Sequence, residues 1–429
     1  MKQNHSVKKL VAAILLTASG SWAANALAQE ETDLWADAWE EDETPAAPWL
    51  HGFIEQAAGV RLQNSDYNKE TSVMDSRVRL EASHYWQRWN FAAKGDLYYD
   101  GVLDKWRDEL REASAQTSFS RFDVKLGRQI LTWGTGDYIF LNDFFPKDWQ
   151  SFFAGRQDEY LKAPSDAIKF SHFTSIINFD LVWTPEFDPD NYINGDYFSF
   201  FDRSQGATAA PSFYADAPND DEWALRFYRN FGSSEFALYG YDGFFKSPNA
   251  IDQQGRYTFS RLQSLGASWR QPLLKGIFNV ETAYYLSADD THGDNPAIGN
   301  SQWRLLVGYE QELVTRLTGS VQFYLEQTQD YQALLANSPA ANLEPEENRT
   351  VVTTRLTWRN QNDKLTLGLF LFYSPSDHDS YWRPTASYRF NDQWQLSGGV
   401  NWFEGRDKHT FFGQFEENNN LYARVRYSF

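Results

Sequence analysis

Alternation of apolar and polar side chains, repeated along most of the chain, constrains the fold more than any other feature. In "WNFAAKGDLYY" (89–99), Trp89 and Leu97 fall on one face, while Lys94 and Asp96 fall on the other. A period of two residues is that of a β-strand with one apolar and one polar face. The same pattern recurs in "SIINFDLVW" (175–183), "VVTTRLTWR" (351–359), "YWRPTASYRF" (381–390) and "QWQLSGGVNW" (393–402). Aromatic residues cluster at the ends of these apolar faces.

The composition of the chain indicates where such strands can lie. Phe, Trp and Tyr make up 17% of the residues, yet the formal net charge is −19. Beyond the N-terminal region, no stretch reaches the ~18 apolar residues of a membrane-spanning helix. Only helices and closed barrels satisfy every backbone group in a bilayer, so an all-β transmembrane antiparallel β-barrel is predicted. A soluble sandwich is the alternative, but its two inner faces would both have to be apolar.

The N-terminus has the features of a secretory signal peptide, predicted over residues 1–28. Lysines precede an apolar run from Leu10 to Ala18, and Ala26-Leu27-Ala28 forms an A-x-A cleavage pattern. A buried N-terminal helix is the alternative. Residues 29–48 then form an acidic periplasmic segment, and residues 49–429 form the barrel. The chain contains no Cys, which excludes disulfides and thiolate chemistry.

The lengths of the connections predict the number of strands and their orientation. Eight short turns and nine longer polar segments give about 18 strands, with 16 as the alternative because residues 166–176 make a poor strand. Short turns face the periplasm in outer-membrane barrels and long loops face outward, so a bacterial outer-membrane location is expected. The turns fall near 87–88, 120–121, 174, 232–233, 273–275, 313, 360–363 and 391–392. The longer segments are 63–72, 101–108, 131–165, 185–221, 245–258, 288–300, 328–348, 375–380 and 404–419.

The last ten residues, "NLYARVRYSF" (420–429), form one more alternating strand that ends on Phe429. A free chain end usually frays unless pairing ties it down, so this strand is expected to pair with the first strand and close the barrel. The aromatic C-terminus resembles the assembly signal of bacterial outer-membrane proteins. It therefore predicts recognition of Phe429 by the barrel-assembly machinery.

The polar faces of the strands carry many basic residues, which are predicted to line the pore. Rings of Arg or Lys favour anions in pores. The alternative is that these charges pair across strands and only hold a hydrated wall. The acidic surplus belongs to the loops and the N-terminal segment, where it is expected to face lipopolysaccharide and outer-membrane lipid through bridging cations. The predicted pore-lining residues are Arg77, Arg79, Lys94, Lys125, Arg226, Arg304, Arg316, Arg355, Arg383, Arg389, Arg424 and Arg426.

The segment from Val124 to Phe170 is the most distinctive in the chain. Leu126-Gly127-Arg128-Gln129 is followed by Trp133-Gly134, and then by a long segment with Asn142, Asp143, Pro146 and Asp148. This arrangement resembles alginate-export-type barrels and an uncharacterised proteobacterial porin-like barrel group. The resemblance implies a bacterial outer-membrane porin-like barrel in which the segment lies inside or over the pore.

Residues 131–165 are expected to fold into the lumen and form a constriction. A loop of this length without a strand pattern is usually functional or disordered, and its aromatic content argues against disorder. Its acids would face the basic wall, giving a slit with both charge signs at the narrowest point. Packing over the outer mouth is the alternative. The predicted constriction-loop residues are Trp133, Asp137, Asp143, Asp148, Arg156 and Asp158.

These features favour a channel for small anionic or polar solutes. The alternative is an exporter of an anionic polysaccharide within a trans-envelope machine. An outer-membrane hydrolase is less favoured, because His292, His378 and His409 lie in predicted loops without a nucleophile motif. We expect no catalytic residues, cofactor, metal or nucleic-acid partner. The acidic segment 29–48 could dock on a periplasmic partner through Trp35 and Trp39, or remain a solvated tail.

Overall fold

A computed structural model describes residues 50–203 and 205–429. The predicted signal peptide (1–28), the acidic segment (29–48) and Trp49, the first residue of the predicted barrel, lie outside the described residues. Within the described ranges, no helix is long and apolar enough to cross a membrane.

Strands form most of the described chain because the alternating segments pair with their neighbours. The strands are β1 (Leu50–Arg61), β2 (Thr71–Trp86), β3 (Trp89–Asp100), β4 (Lys105–Ser118), β5 (Phe122–Ile130), β6 (Pro164–His172), β7 (Asn178–Thr184), β8 (Phe200–Asp202), β9 (Ala207–Ala209), β10 (Glu222–Phe231), β11 (Ser234–Phe244), β12 (Ala250–Ile251), β13 (Tyr257–Thr258), β14 (Arg261–Leu273), β15 (Gly276–Ser287), β16 (Gln302–Val314), β17 (Leu317–Thr328), β18 (Asn348–Arg359), β19 (Leu365–Ser374), β20 (Asp379–Arg389), β21 (Trp394–Gly405) and β22 (Asn420–Ser428). The helices are α1 (Trp149–Ala154) and α2 (Tyr331–Asn337), with 3-10 turns at Asp158–Leu161, Ala341–Leu343 and Gly413–Asn418.

Eighteen of the described strands form one closed antiparallel barrel. Each strand pairs with the next along the chain, and the short hairpins β8–β9 and β12–β13 stand apart in the connections β7–β10 and β11–β14. The barrel closes where β22 pairs with β1, from Phe53 opposite Ser428 to Arg61 opposite Asn420. The predicted fold and the number of 18 strands are therefore confirmed. The alternative of 16 is excluded, because β6 pairs with both β5 and β7.

The connections follow the predicted alternation of short and long, with two differences. β4 begins at Lys105, so the predicted loop 101–108 is only the turn 101–104. The carboxylate of Asp100 accepts hydrogen bonds from the backbone N–H groups of Val102 and Leu103, and these bonds close a tight turn. The polar residues that follow the turn belong to β4, although their composition had suggested a loop. Likewise β20 begins at Asp379, within the predicted loop 375–380.

The outer surface of the barrel is apolar between two belts of aromatic side chains. At the end with the short turns, Trp394 packs against Tyr427. At the end with the long loops, Trp183 stacks on Trp223. Large apolar side chains between the belts remain exposed, for example Leu265 at 75%. Such a band flanked by aromatic girdles is the outer surface of a transmembrane barrel.

The interior differs from the sequence prediction, because many inward side chains are aromatic rather than polar. One cluster joins α1 to the inner faces of β19–β21 and to the connection 406–419, and it contains Phe152, Phe153, Phe198, Phe372, Tyr381, Phe403, Phe412 and Phe415. A second cluster joins the start of the β5–β6 connection to β11 and β15, and it contains Trp133, Phe144, Phe145, Tyr239, Tyr241 and Tyr285. These aromatics face inward because they pack against the long β5–β6 connection, which fills part of the lumen.

Candidate functional site

The connection between β5 and β6, residues 131–163, crosses the lumen and is called the lumen loop below. Its first half, residues 131–146, contacts the wall at β11, β15, β17 and β18. Its second half, residues 147–163, contacts β20, β22, β2 and β4. The loop therefore bridges opposite parts of the barrel wall.

Polar contacts hold the first half of the lumen loop to β15, β17 and β18. The carboxylate of Glu281 accepts hydrogen bonds from the backbone N–H of Thr135 and from the side-chain amide of Asn142, the latter at 2.9 Å. Asp137 forms an ion pair with Arg355 at 2.8 Å and accepts a hydrogen bond from Ser320. Asp137 thus joins the loop to two neighbouring strands.

Aromatic packing fixes the same half of the loop. Phe144 stacks on Tyr241 with ring centroids 4.7 Å apart, and Trp133 packs edge-on against Phe145 at 5.1 Å. The hydroxyl of Tyr285 donates to the carbonyl of Leu141. Buried aromatic pairs of this kind add about 0.5–1.5 kcal/mol each beyond the area that they bury. This half of the loop is therefore a packed part of the barrel core.

Local side chains and backbone conformation fix both ends of helix α1. Asp148 caps its N-terminus, because its carboxylate accepts from the backbone N–H of Ser151 at 2.7 Å. Burial raises the pKa of Asp148. Gly155 ends the helix with a φ of 79°, and a side chain there would meet the ring of Tyr422. The guanidinium of Arg424 donates to the Gly155 carbonyl at this helix end.

Three ion pairs hold the segment after α1 to the wall. Arg156 pairs with Asp75 at 2.7 Å, and both side chains are buried. The other two pairs join Asp158 to Arg383 at 2.6 Å and Glu159 to Arg79 at 2.8 Å. In these two pairs the arginine is buried, while the carboxylate keeps about a third of its surface exposed, 33% for Asp158 and 35% for Glu159.

The electrostatic surroundings stabilise the charged forms of these loop acids. Burial alone would raise the pKa of Asp158, but Arg383 and the hydroxyl of Tyr138 lower it, and the net shift is downward. Burial likewise opposes the charge of Glu159, whereas Arg79 and Arg426 lower its pKa, again with a net downward shift. Both carboxylates are therefore charged at neutral pH.

A further arginine of the site, Arg111, was missed by sequence reasoning. Its guanidinium donates to the carbonyls of Glu159 and Lys162 at 2.8 Å each, so it holds the end of the loop's 3-10 turn. The register between β3 and β4 shifts at Lys94/Gly95, which leaves Arg111 as an extra residue in β4. Such a β-bulge interrupts the period of two, because Arg111 stays on the inner face with Glu109 and the next residue, Glu112, also faces inward toward Lys125. A single alternation read along the whole strand therefore could not place both side chains.

Buried aromatic rings complete this part of the site. Tyr160 lies beneath the guanidinium groups of Arg77, Arg79 and Arg111, at 4.4, 4.9 and 4.8 Å from its ring centroid. Asp96 accepts hydrogen bonds from Arg77 and Arg79 at 2.6 Å. The two strand arginines therefore have both a carboxylate and an aromatic face as partners.

The predicted constriction-loop residues divide into two groups. Asp137 and Asp158 meet wall arginines, as described above. Trp133, Asp143 and Asp148 are buried, and Asp143 pairs with Lys147 at 3.0 Å within the loop. These three residues hold the loop together and do not face open lumen, while Arg156 fastens the loop to β2.

Most of the predicted pore-lining residues do point inward, but many are paired with carboxylates. Pairs that join neighbouring strands include Lys94–Glu81 at 3.1 Å, Lys125–Glu112 at 2.8 Å, Arg226–Glu235 at 2.8 Å and Arg304–Glu326 at 3.5 Å. Arg426 pairs with Glu55 on β1 at 2.8 Å. This geometry matches the alternative in which wall charges pair with one another.

Arg316 requires a correction. It lies in the short turn between β16 and β17 with a φ of 67°. Its guanidinium donates to the carbonyl of Asn360 and to the carboxylate of Asp363 in a neighbouring turn. Because the strand ends at Val314, the alternation that had placed Arg316 on the inner wall no longer applies there.

Two inward arginines, on β20 and β22, lack the carboxylate partners that many other predicted pore-lining residues have. Within residues 50–203 and 205–429, neither Arg389 nor Arg424 forms an ion pair with a carboxylate. Arg424 binds only a loop carbonyl, and its Nε has no hydrogen-bond partner in the described chain. The wall between β20 and β22 therefore carries positive charge that is not neutralised locally.

Extracellular connections pack over the lumen loop. Asp190, in the connection 185–221, accepts from the backbone N–H of Lys147 at 2.7 Å and from the indole of Trp149 at 3.0 Å. Asn418 joins this connection to the last loop, because its side-chain amide donates to the carbonyl of Ser199 at 2.9 Å. The lumen loop is thus held by the extracellular connections as well as by the barrel wall.

The candidate catalytic histidines do not assemble a site. His292 contacts Thr291, His378 lies in the turn before β20, and the ring of His409 packs near Phe201. In the part of the chain that the structure describes, no cluster of three or more His, Asp or Glu side chains could hold a metal ion.

The closed barrel, its apolar outer band and the loop across its lumen define a transmembrane barrel of the outer-membrane porin type, which fits a bacterial outer membrane. Pseudomonas aeruginosa OccK11 (OpdR) is similar in structure, with a TM-score of 0.52 and 11% identity over 88% of this chain and 95% of that chain. Acinetobacter baumannii OccAB3 is similar with a TM-score of 0.54 and 10% identity, over 89% of this chain and 98% of that chain. Pseudomonas aeruginosa OccK5 (OpdH) is similar with a TM-score of 0.53 and 10% identity, over 89% of this chain and 96% of that chain.

At these identities the similarity establishes the fold. No protein-family model and no curated protein matches the sequence. The more specific resemblance to alginate-export-type barrels stays a prediction.

Proposed function

We propose that this protein is an outer-membrane channel for small solutes. The observation that carries the proposal is the closed 18-stranded barrel whose lumen is crossed by a loop held to the wall by ion pairs as well as by aromatic packing. A barrel of this size encloses a water-filled lumen unless loops narrow it. The similarity of the fold to outer-membrane porins supports the same function.

We further propose that the passage favours small anionic or polar solutes. Arg389 offers charge that no carboxylate of the described chain neutralises, and the buried Arg424 adds positive charge without a carboxylate partner in the same part of the wall. Arg355 and Arg383 lie on that side as well, each paired with an acid of the lumen loop. Basic groups along one wall lower the energy of a passing anion. The cross-strand pairs elsewhere on the wall keep its remaining surface hydrated and nearly neutral.

The two alternatives have less support. An exporter of a bulky polysaccharide would have to move the lumen loop, which is anchored on opposite walls and packed in two aromatic clusters. A hydrolase would need a nucleophile beside His292, His378 or His409, and the contacts of these residues include none.

The partners follow from the same proposal. We propose that the outer face of the barrel contacts outer-membrane lipid and lipopolysaccharide, and that the barrel-assembly machinery recognises the strand that ends at Phe429. The acidic segment 29–48 is proposed to meet a periplasmic partner.

The test is the reversal potential of the purified protein in a planar bilayer under a KCl gradient. We expect discrete channels with a preference for chloride, and a smaller preference in the variants Arg389→Gln and Arg424→Gln. The matched control is Arg121→Gln, which removes an exposed charge from a short turn. A preference for potassium would refute the proposed selectivity, and the absence of channels from folded protein would refute the channel itself.

A further inference from the structure

A groove on the outer face of the barrel lies at the end with the short turns. It has a volume of about 490 Å³ and is lined by residues of β10, β11, β14 and β15, together with the turn at 173–177. Its walls include Phe227, Leu238 and Ile176, which are exposed by 36%, 59% and 71%. The groove therefore faces the bilayer and not the lumen.

The groove exists because a small residue sits among large ones. Ala267 lies on β14 between Leu238 of β11 and Thr282 of β15. Below it, Phe236 stacks on Trp269 with ring centroids 5.7 Å apart. The small side chain leaves an apolar depression between neighbouring bulky side chains, where a hydrocarbon chain could lie.

Arg229 places a cation at the mouth of this groove. It lies on β10 with the outward residues Phe227 and Phe231, two residues before the turn at 232–233. Its guanidinium lies 4.6 Å from the ring centroid of Phe231 and donates to the carbonyl of Ile176 at 2.6 Å. Across the two described ranges, no carboxylate forms an ion pair with it.

A lipid-facing arginine without a carboxylate needs a counter-charge at the membrane surface. The short turns are the periplasmic ends of an outer-membrane barrel, so the anionic groups within reach of Arg229 are the phosphates of the periplasmic leaflet. We propose that this groove binds one anionic phospholipid, with its phosphate on Arg229 and an acyl chain along Ala267. The carbonyl of Ile176 and the ring of Phe231 hold the guanidinium in place for this contact.

The charge and the shape of the groove can be tested separately. Arg229→Gln removes the cation and keeps the apolar depression, whereas Ala267→Phe fills the depression and keeps the cation. Two control variants make the same chemical changes elsewhere on the outer surface. Arg121→Gln removes a cation from another short turn, and Ala93→Phe enlarges an outward alanine on β3. Heat-dependent gel mobility confirms that each variant is folded.

The measurement is native mass spectrometry of the protein with phosphatidylglycerol or phosphatidylcholine added to the detergent. We expect one retained phosphatidylglycerol, bound about fivefold more weakly in Arg229→Gln, since a basic residue at the membrane surface contributes that much to binding an anionic lipid. Ala267→Phe should lose the retained lipid, and both control variants should keep it.

Other outcomes would overturn the proposal. Equal retention of phosphatidylcholine would mean that the groove does not select negative charge. Unchanged retention in both Arg229→Gln and Ala267→Phe would place the lipid elsewhere. Displacement by millimolar inorganic phosphate alone would mean that Arg229 is a simple anion site without a lipid chain. Because the readout is lipid retention, none of these outcomes depends on whether the barrel conducts.

Discussion

Removing the three ion pairs of segment 155–162 tests how the lumen loop is held across the barrel. The proposed triple variant is Arg156→Gln, Asp158→Asn and Glu159→Gln. It keeps the shapes of the two acids, shortens Arg156, and removes the three charges from contacts of 2.7, 2.6 and 2.8 Å with Asp75, Arg383 and Arg79. Each buried wall residue then faces a neutral partner.

The size of the effect follows from the exposure of each pair. Arg156 and Asp75 are 7% and 2% exposed, so breaking this pair costs about 3–5 kcal/mol because the acid stays buried. The carboxylates of Asp158 and Glu159 are about a third exposed, and solvent screening reduces each of these pairs to about 1 kcal/mol. Together the changes weaken the attachment by on the order of 5 kcal/mol.

The expected result is a local release with α1 still in place, because Phe152 and Phe153 remain packed against the wall. Amide hydrogens of residues 156–162 should exchange on the order of a thousandfold faster, measured by mass spectrometry. Single-channel recordings should show higher conductance and more current noise. The control is Arg226→Gln with Glu235→Gln, a pair at 2.8 Å that joins two wall strands only. Amide exchange and conductance equal to those of the unmodified protein would show that these ion pairs do not hold the loop across the lumen.

Three further predictions concern the same loop. Gly155→Ala should displace the segment after α1, because the φ of 79° is strained for alanine and its side chain would meet Tyr422, and single-channel recordings should show altered conductance. Phe152→Ala should cost about 3–5 kcal/mol and speed amide exchange throughout 147–162, since this ring is 1% exposed. The ion pairs of Asp158 and Glu159 should stay intact between about pH 7 and pH 5, because the pKa values of both groups are lowered from the ordinary carboxyl range. These pairs should break only as the pH falls through those lowered values. Opening of residues 157–160 near pH 6, measured by amide exchange corrected for its intrinsic pH dependence, would contradict this assignment.

The barrel could be predicted from the sequence because each strand meets the same two environments, lipid outside and the lumen inside. That regularity gave 18 strands and the closing pair of β22 with β1. It failed where the backbone departs from a regular strand. The bulge in β4 puts both Arg111 and Glu112 on the inner side, and the turn after β16 moves Arg316 away from the wall.

The partners of the lumen loop were beyond sequence reasoning for a different physical reason. Arg156 and Asp75 are far apart in the chain, and only the folded barrel brings them to 2.7 Å. Alternation places Tyr381 and Phe403 on the inner face, but their packing partners become known only when the loop that covers them is placed. The composition of the loop predicted that it is ordered, whereas its contacts depend on the closed barrel.

The most direct test of the central claim compares the single-channel conductance of the full barrel with that of a variant lacking residues 137–160. The deletion removes α1 and the ion pairs of Asp137, Arg156, Asp158 and Glu159 from the lumen. Heat-dependent gel mobility must first confirm that the variant is folded. Conductance grows with open area, so the conductance of the deletion variant should increase several-fold, and its ion selectivity should change. Unchanged conductance and selectivity would contradict this prediction, because the loop would then lie outside the path of the solute.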